Sequence, residues 1–176
     1  MRVEPTDHWR TDQVELFLLE PEHVGDAYVG WLNDVGVNRY LESRFAAATL
    51  ESTRRFVAAA LASETSLFCG IRLTNRHVGN IKLAPIDRHH GLGEIGIMIG
   101  EPAVWGSGIG TAAIRAMATI AKQELQLRKL TAGCYSSNQG SVRAFLKAGF
   151  FIEGTRKQHF IRGERTEDLT LLARFL

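Results

Sequence analysis

A glycine-rich segment, Trp105-Gly-Ser-Gly-Ile-Gly-Thr111, carries the most specific chemical signal in the sequence. It lies between a predicted strand and a predicted helix. Glycine adopts positive φ without strain and lets a ligand approach the main chain closely. The helix that follows presents unpaired N–H groups and the positive end of its dipole. This arrangement suits a phosphate or pyrophosphate group.

Two well-known phosphate-binding motifs fit this segment poorly. A P-loop requires a lysine before its Ser or Thr, and the segment contains no lysine. A dinucleotide fingerprint needs its third glycine where Thr111 stands, and it belongs directly after the first strand of the fold. The loop by itself still leaves open a plain connection between a strand and a helix.

The cysteines and histidines predict neither a disulfide framework nor a metal site. The two cysteines, Cys69 and Cys134, are far apart and lack CxxC spacing, which excludes a disulfide scaffold and a cysteine-based zinc site. His89 and His90 are adjacent, so their side chains diverge, and no third ligand is apparent. We therefore expect no bound metal.

Hydrophobic periodicity places this loop within an alternation of strands and helices. The predicted strands are 14–18, 67–73, 78–83, 94–99, 129–135, 150–160 and 164–175. The predicted helices are 21–32, 51–63 with Thr49 shortly before it, 109–124 and 138–148, the last one ending at Gly149. This order predicts a mixed α/β fold, antiparallel in its early part, with a strand–loop–helix–strand crossover in the middle.

Length and composition restrict the class of protein. A chain of 176 residues with 45% hydrophobic and 23% charged residues predicts one globular domain over 1–176. The net charge of +2 is too small for a dedicated nucleic-acid binder. No apolar run approaches the roughly 18 residues that span a bilayer, and the N-terminus has no signal pattern. We expect a soluble cytoplasmic protein, without nucleic-acid or membrane partners, as a monomer or homodimer.

Three features in their order and spacing resemble the GCN5-related N-acetyltransferase (GNAT) family, and within it the Rim-type ribosomal-protein alanine N-acetyltransferases. The resemblance covers roughly residues 10–175. The segment 94–111 is similar to the family's strand and its Arg/Gln-x-x-Gly-x-Gly/Ala loop, with Trp105 at the first position, where Rim-type proteins often carry an aromatic residue. The other two features are Asn138-Gln-Gly-Ser141 followed by Lys147-Ala-Gly-Phe150, and a closing pattern of Glu153-Gly154, Arg162-Gly163 and Asp168.

The resemblance implies a seven-stranded, mostly antiparallel sheet whose central strands, 94–99 and 129–135, are parallel and splay apart. Acetyl-CoA, the co-substrate, would lie in the gap, its arm paired with the backbone near Met98, Ile99 and Gly100. Asn138 would bond this arm, although it also suits a helix N-cap. Lys129, Arg143 and Lys147 are candidates for the 3′-phosphate. The residues that would wrap the pyrophosphate are Gly106, Ser107, Gly108, Ile109, Gly110 and Thr111.

The resemblance also implies catalytic roles. Glu94 stands where histone-type members carry their catalytic base, and a solvated strand-end carboxylate is the alternative interpretation. A tyrosine that acts as the acid in many members is replaced by Phe145. Ser141, the Rim-type serine, is therefore the candidate acid, with Tyr135 as a further option. The other candidate bases are Asp87, His89, His90, Glu101 and Asp168. An oxyanion donor is expected among the backbone N–H groups near Ile99.

The implied reaction transfers acetyl from acetyl-CoA to a primary amine. The acceptor would be a protein N-terminus or a small molecule such as an amino-sugar nucleotide, a polyamine or an aminoglycoside. A non-catalytic acyl-CoA-binding module and, less favoured by the glycine spacing, a dinucleotide-dependent oxidoreductase are the alternatives. We expect the acceptor site to form from the early helices and the final hairpin. A polar and aromatic stretch there contains Trp31, Asn33, Arg39, Tyr40, Glu42 and Arg44.

Overall fold

One β-sheet organises residues 9–176, the part of the chain that the computed structural model describes. It has seven strands in the order β1-β2-β3-β4-β5-β7-β6. Only the β4–β5 neighbours are parallel, and every other pair is antiparallel. The predicted fold class is confirmed. The strands are β1 (Glu15–Leu18), β2 (Leu67–Leu73), β3 (Arg76–Asp87), β4 (Leu92–Ile99), β5 (Lys129–Tyr135), β6 (Phe151–Arg162) and β7 (Arg165–Phe175).

Helices cover both faces of the sheet because the strands alternate two sets of apolar side chains. One core joins strand residues such as Leu16, Ile95 and Cys134 to the two later helices. The second core joins Phe17 and Phe68 to the earlier helices on the opposite face. The helices are α1 (Asp26–Asn33), α2 (Val35–Asn38), α3 (Leu50–Ala62), α4 (Ile109–Gln123) and α5 (Gln139–Lys147). Among residues 9–176, none of the helices has the length and apolarity needed to cross a bilayer.

The parallel pair in the centre of the sheet separates after three residue pairs. Leu92 pairs with Lys129, and the last pair joins Glu94 to Thr131. Beyond that pair β4 remains bonded to β3, and β5 remains bonded to β7. The predicted gap between the central strands is therefore confirmed, and it opens directly after Glu94.

The predicted helix over 21–32 is interrupted. Pro21–His23 forms a 3-10 turn, and α1 begins only after Gly25. Between them Val24 is extended, with φ −82° and ψ 105°, and its side chain is 1% exposed in the second core. Burial of Val24 outweighs the continuous helical pattern, because a helix through this point would place a different face against the sheet.

Other boundaries depend on local signals. Thr49 caps α3 by accepting from the Ser52 amide, and Gly149 follows α5 with φ +89°, as the sequence predicts. The structure also contains elements that periodicity missed. α2 is short and capped by Asp34, and the 3-10 turn Glu42–Phe45 follows it. These short elements lie beside the gap.

We expect Gly100→Ala to destabilise the fold. A Cβ at Gly100 would lie 2.0 Å from Cδ2 of Trp31, which packs against the end of β4. Overpacking of this kind costs about 1–3 kcal/mol. Gly96→Ala on β4 is the matched control, because a Cβ there meets nothing within 4 Å. Urea unfolding should show a loss of stability for the first variant alone; equal stabilities would contradict the close packing of α1 on β4.

Candidate active site

A cleft of about 870 Å³ occupies the gap between β4 and β5. Its walls come from β4, the glycine loop, the N-terminus of α4, the end of β5 and α5, with the segment 36–42 across the opening. Eleven of the thirteen residues that the resemblance assigned most directly to acetyl-CoA binding or catalysis line it: Glu94, Met98, Ile99, Gly106, Gly108, Ile109, Gly110, Thr111, Asn138, Ser141 and Lys147.

The glycine loop delivers an uncapped helix end to this cleft. Gly106 has φ +79° and Gly108, the N-cap residue of α4, has φ +93°, conformations that favour glycine. No side chain caps α4, so the N–H groups of its first turn are free of intrahelical partners. The next amide, Ala112, already bonds to the Gly108 carbonyl. A Cβ at Gly106 would meet nothing within 4 Å, so the loop faces open space. The donors fit the pyrophosphate of acetyl-CoA.

Trp105 fastens this loop to β4. Its indole Nε1 donates to the Ile99 carbonyl oxygen at 2.9 Å. The Gly100 amide instead donates to the Val78 carbonyl oxygen on β3, also at 2.9 Å. Because successive residues of a strand direct their polar groups to opposite sides, the Ile99 N–H faces the gap. The aromatic residue at this loop position thus holds the edge of the cleft.

Two predicted cofactor contacts lie outside the cleft lining. Gly100 is buried against Trp31, and its amide is committed to β3. Ser107 is exposed, and its hydroxyl donates to the Val104 carbonyl oxygen at 2.6 Å. The structure therefore gives Gly100 and Ser107 roles within the loop and strand.

Glu94 and Ser141 approach the gap from opposite faces of the sheet. Glu94 pairs with Thr131, so the two side chains share a face with Tyr135, four residues further along β5. Cys134 points to the other face, into the core with α4 and α5, and its Sγ lies 3.3 Å from Ser141 Oγ. Burial raises the pKa of the Cys134 thiol.

The first turn of α5 fixes Ser141. The Asn138 side chain caps the helix by accepting from the Ser141 amide at 3.2 Å, so both interpretations of this asparagine remain compatible with its place in the cleft. Phe145, at the position of the missing tyrosine, is 2% exposed and packs edge-on against Phe150. The Phe145 side chain has no polar group that could donate a proton.

The three candidate cations separate into two groups. Arg143 and Lys147 line the cleft on α5. Lys129 does not line it, because its ammonium forms an ion pair with Glu153 and lies over the Phe175 ring. Lys129 therefore lies away from the cleft lining, because β5 carries it at the end opposite to the cleft opening, and this position favours the alternative of an ordinary surface cation.

The other candidate bases form their contacts outside the cleft lining. Asp87 accepts from the His90 amide in the β3–β4 turn, and the neighbouring His89 and His90 rings are in edge contact. Glu101 pairs with Arg76, and Asp168 pairs with Lys157. Of the candidate bases, Glu94 alone lines the cleft. In residues 9–176, no three His, Cys, Asp or Glu side chains converge as a metal site would require.

Periodicity missed a polar network at the cleft opening. The Tyr135 hydroxyl donates to Glu42 Oε1 at 2.5 Å and accepts from Arg44 Nη2 at 2.8 Å. The Tyr135 ring stacks on Phe160 of β6 at 3.9 Å, and Tyr40 packs beside it. The expected stretch between the early helices does reach the cleft through Arg39, Tyr40 and Glu42. No pattern of neighbouring residues predicts that this stretch bonds to Tyr135 at the end of β5.

A splayed parallel strand pair beside a glycine loop and an uncapped helix defines a protein that binds an acyl carrier with phosphate groups. The family model described as Acetyltransferase (GNAT) domain matches residues 13–151. The chain belongs to this family. It therefore contains an acetyltransferase domain of the GNAT type, whose co-substrate is acetyl-CoA.

Several known proteins are similar to this chain. The chain is 42% identical over 59 residues to a human alpha/beta-tubulin-N-acetyltransferase 9; the match spans 34% of this chain and only 28% of that protein. A Salmonella typhimurium acetyltransferase that modifies the N-terminal serine of ribosomal protein L7/L12 has a TM-score of 0.81 at 20% identity, with 94% and 96% of the chains covered. Spermidine N-acetyltransferase from Vibrio cholerae has a TM-score of 0.80 at 19% identity, with 94% of this chain and 96% of that chain covered. The TM-scores of these two solved structures show a shared fold.

We expect Arg143→Ala and Lys147→Ala to weaken CoA binding, because both cations line the cleft. The loss should be about 3- to 10-fold in Kd for each, and smaller for dephospho-CoA, which lacks the 3′-phosphate. Isothermal titration measures both ligands. Lys129→Ala is the control, since its ammonium is paired outside the cleft. A larger loss in the control than in either α5 variant would contradict this assignment.

Proposed function

We propose that this protein acetylates a primary amine by direct attack of the amine on acetyl-CoA, with a protein N-terminus or a small amine as the acceptor. The observation that carries the proposal is the gap between β4 and β5, which Glu94 and Ser141 line from opposite faces of the sheet. A base on one face and an acid on the other suit a reaction in which the nucleophile enters and the leaving group departs on different sides.

The residues of the cleft divide the binding of acetyl-CoA among them. The free N–H groups of α4 would hold the pyrophosphate, and Arg143 and Lys147 the 3′-phosphate. The Ile99 backbone and Asn138 would hold the pantetheine arm. The Met98 backbone takes no part in this contact, because its carbonyl oxygen lies against Gly79 of β3. Bound acetyl-CoA supplies an activated acetyl group as a thioester. The remaining chemistry belongs to side chains and amides of the protein.

Glu94 would take the proton that the amine must lose. A protonated amine has no lone pair with which to attack, so a nearby carboxylate that accepts its proton increases the reactive fraction. Glu94 is exposed at the last paired position before the gap, and within residues 9–176 no hydrogen bond or ion pair engages its carboxylate. It is therefore free to bind the incoming amine.

The Ile99 N–H and Ser141 would serve the acetyl oxygen and the sulfur. During attack a nitrogen–carbon bond forms and the carbon–sulfur bond breaks, while the nitrogen loses a proton and the sulfur gains one. The Ile99 amide faces the gap and suits the oxygen that becomes negative. The Ser141 hydroxyl suits the departing sulfur. Tyr135 is the alternative donor on the other face.

Both acceptor classes have support among similar proteins. The human and Salmonella relatives are named for action on proteins, whereas the Vibrio relative is named for action on spermidine. The cleft opening combines carboxylates with the aromatic rings of Tyr40, Tyr135 and Phe160, a surface that suits a charged amine attached to an apolar chain.

Release of free CoA thiol tests the proposal. The protein is mixed with acetyl-CoA and a panel of N-terminal peptides and small amines, and thiol appearance is followed together with mass spectrometry of the acceptor. We expect acetylation of at least one amine. Thermal stabilisation by acetyl-CoA without thiol release from any amine would instead support a non-catalytic acyl-CoA-binding module, and stabilisation by NADH but not CoA would support an oxidoreductase.

Replacement of Glu94 should give a pH-dependent defect. We expect Glu94→Gln to lower kcat/KM for a peptide acceptor by about 100-fold at pH 7, as for loss of a general base. At pH 9 the loss should shrink, because an α-amine with a pKa near 8 deprotonates in solution without help. Initial rates of thiol release between pH 7 and 9 measure the difference, and an equal loss throughout would count against Glu94 as the base.

Ser141→Ala is the comparison for the same pH series. Its loss of kcat should persist at pH 9, since deprotonation of the amine does not protonate the sulfur. Acetyl-CoA affinity should change little, because the Asn138 cap bonds the Ser141 amide and not its hydroxyl. An unchanged kcat would remove Ser141 from the acid role and leave Tyr135.

A further inference from the structure

Glu42 is a second carboxylate in the cleft. The proposed reaction uses Glu94 as the base and assigns no role to Glu42. It lies on the 3-10 turn Glu42–Phe45, lines the cleft, and its side chain is 63% exposed. Oxygen Oε1 accepts from the Tyr135 hydroxyl at 2.5 Å and from Arg44 Nη1 at 3.2 Å. Oxygen Oε2 has no hydrogen-bond partner among the described residues.

The two groups that hold Glu42 are themselves held by packing and hydrogen bonds. Tyr135 is 4% exposed and is stacked on Phe160 with an interplanar angle of 13°. The Arg44 side chain is 15% exposed, and its guanidinium also donates to the Leu41 carbonyl oxygen at 2.7 Å. The Glu42 carboxylate is thus held through Oε1 by a buried and a largely buried donor, and Oε2 is left for a ligand. That is the arrangement of a binding group that is organised before its ligand arrives.

The position of Glu42 is on the acceptor side. Tyr135 and Glu94 share one face of the sheet, and the turn that carries Glu42 bonds to Tyr135 on that face. The opposite face of the sheet is covered by α4 and α5. The charged residues of the lining on that face are Arg143 and Lys147, both on α5. The remaining charged residue in the lining is Arg39, whose guanidinium lies 5.0 Å from the Tyr40 ring centroid. The lining at the acceptor end thus contains two carboxylates and one cation, and the Arg44 guanidinium, behind the lining, pairs with Oε1 of Glu42.

We propose that Glu42 is a specificity-determining residue that binds a second positive charge on the acceptor while Glu94 engages the amine that reacts. Tyr135 and Arg44 act as positioning residues for its carboxylate. The inference rests on the proposed N-acetyltransferase function and adds to it a selection rule: an acceptor with an additional ammonium or guanidinium group is preferred over one that is uncharged beyond its reactive amine.

The preference is measured with pairs of acceptors that differ by one charge. One pair is 1,4-diaminobutane and butylamine; the other is alanyl-lysine amide and alanyl-norleucine amide. For the pair that the wild-type protein acetylates, KM should be on the order of 10-fold lower for the member with the extra charge, as for a charge-assisted hydrogen bond. Glu42→Gln should abolish this ratio by raising KM for the charged member, with KM for acetyl-CoA unchanged.

Two further variants separate recognition from structural damage. Glu42→Asp keeps the negative charge and should retain part of the preference. Tyr135→Phe removes the donor to Oε1 and should reduce the preference in the wild-type background, but it should have no further effect on the ratio in Glu42→Gln. Glu51→Gln, on α3 with its side chain 82% exposed and outside the cleft lining, is the control and should leave the ratio unchanged.

The outcomes distinguish this inference from the function on which it rests. Absence of thiol release by the wild-type protein with every acceptor would contradict the proposed function. Acetylation by the wild-type protein without preference for the charged member, or a preference that persists in Glu42→Gln, would overturn the role of Glu42 and leave the acetyltransferase intact.

Discussion

The early end of pairing between β4 and β5 is the constraint on which the site depends. After Glu94 and Thr131 the two strands follow different partners, β3 on one side and β7 on the other. Polar groups that a continuous sheet would consume in its ladder are thereby left facing the gap, where a ligand can pair with them. The gap also connects the two faces of the sheet, which a closed sheet would separate.

The helical side of this gap is built to receive negative charge. The uncapped end of α4 supplies N–H donors, α5 adds two cations, and neither feature needs a charged loop residue. Trp105, the first residue of the loop, donates a hydrogen bond to the Ile99 carbonyl oxygen and contributes no cation. The hydrogen bond to β4 therefore positions the loop, and the positive charge of the site comes from α5 and from the N-terminus of α4.

On the acceptor side the buried Tyr135 side chain holds the exposed Glu42 carboxylate. Tyr135 is packed between Phe160, Tyr40 and the Arg44 guanidinium, so its hydroxyl has a fixed direction. Burial and the bond to Glu42 raise the pKa of Tyr135 against the opposing effect of Arg44, which keeps the hydroxyl protonated as a donor. Orienting a carboxylate in this way reduces the entropy that is lost when a ligand binds to it.

The sequence by itself determined the features that depend on near neighbours. The alternation of apolar residues gave the strands, Thr49 and Gly149 gave helix ends, and the glycine loop with the motifs around it indicated the family, the parallel pair and most of the cleft lining. Each of these signals lies within a few residues of what it specifies. The β4–β5 gap followed only through the resemblance, because no residue in either strand encodes its absence of pairing.

Tertiary structure decided the rest. It broke the helix at Val24, since that side chain has a buried place on the sheet. In the folded chain Lys129 pairs with Glu153 outside the site, and the Gly100 amide donates a hydrogen bond to β3. It also brought Glu42 and Arg44 to Tyr135, more than ninety positions along the chain. Contacts between residues so distant in sequence arise from strand order and packing, which periodicity and local spacing do not contain.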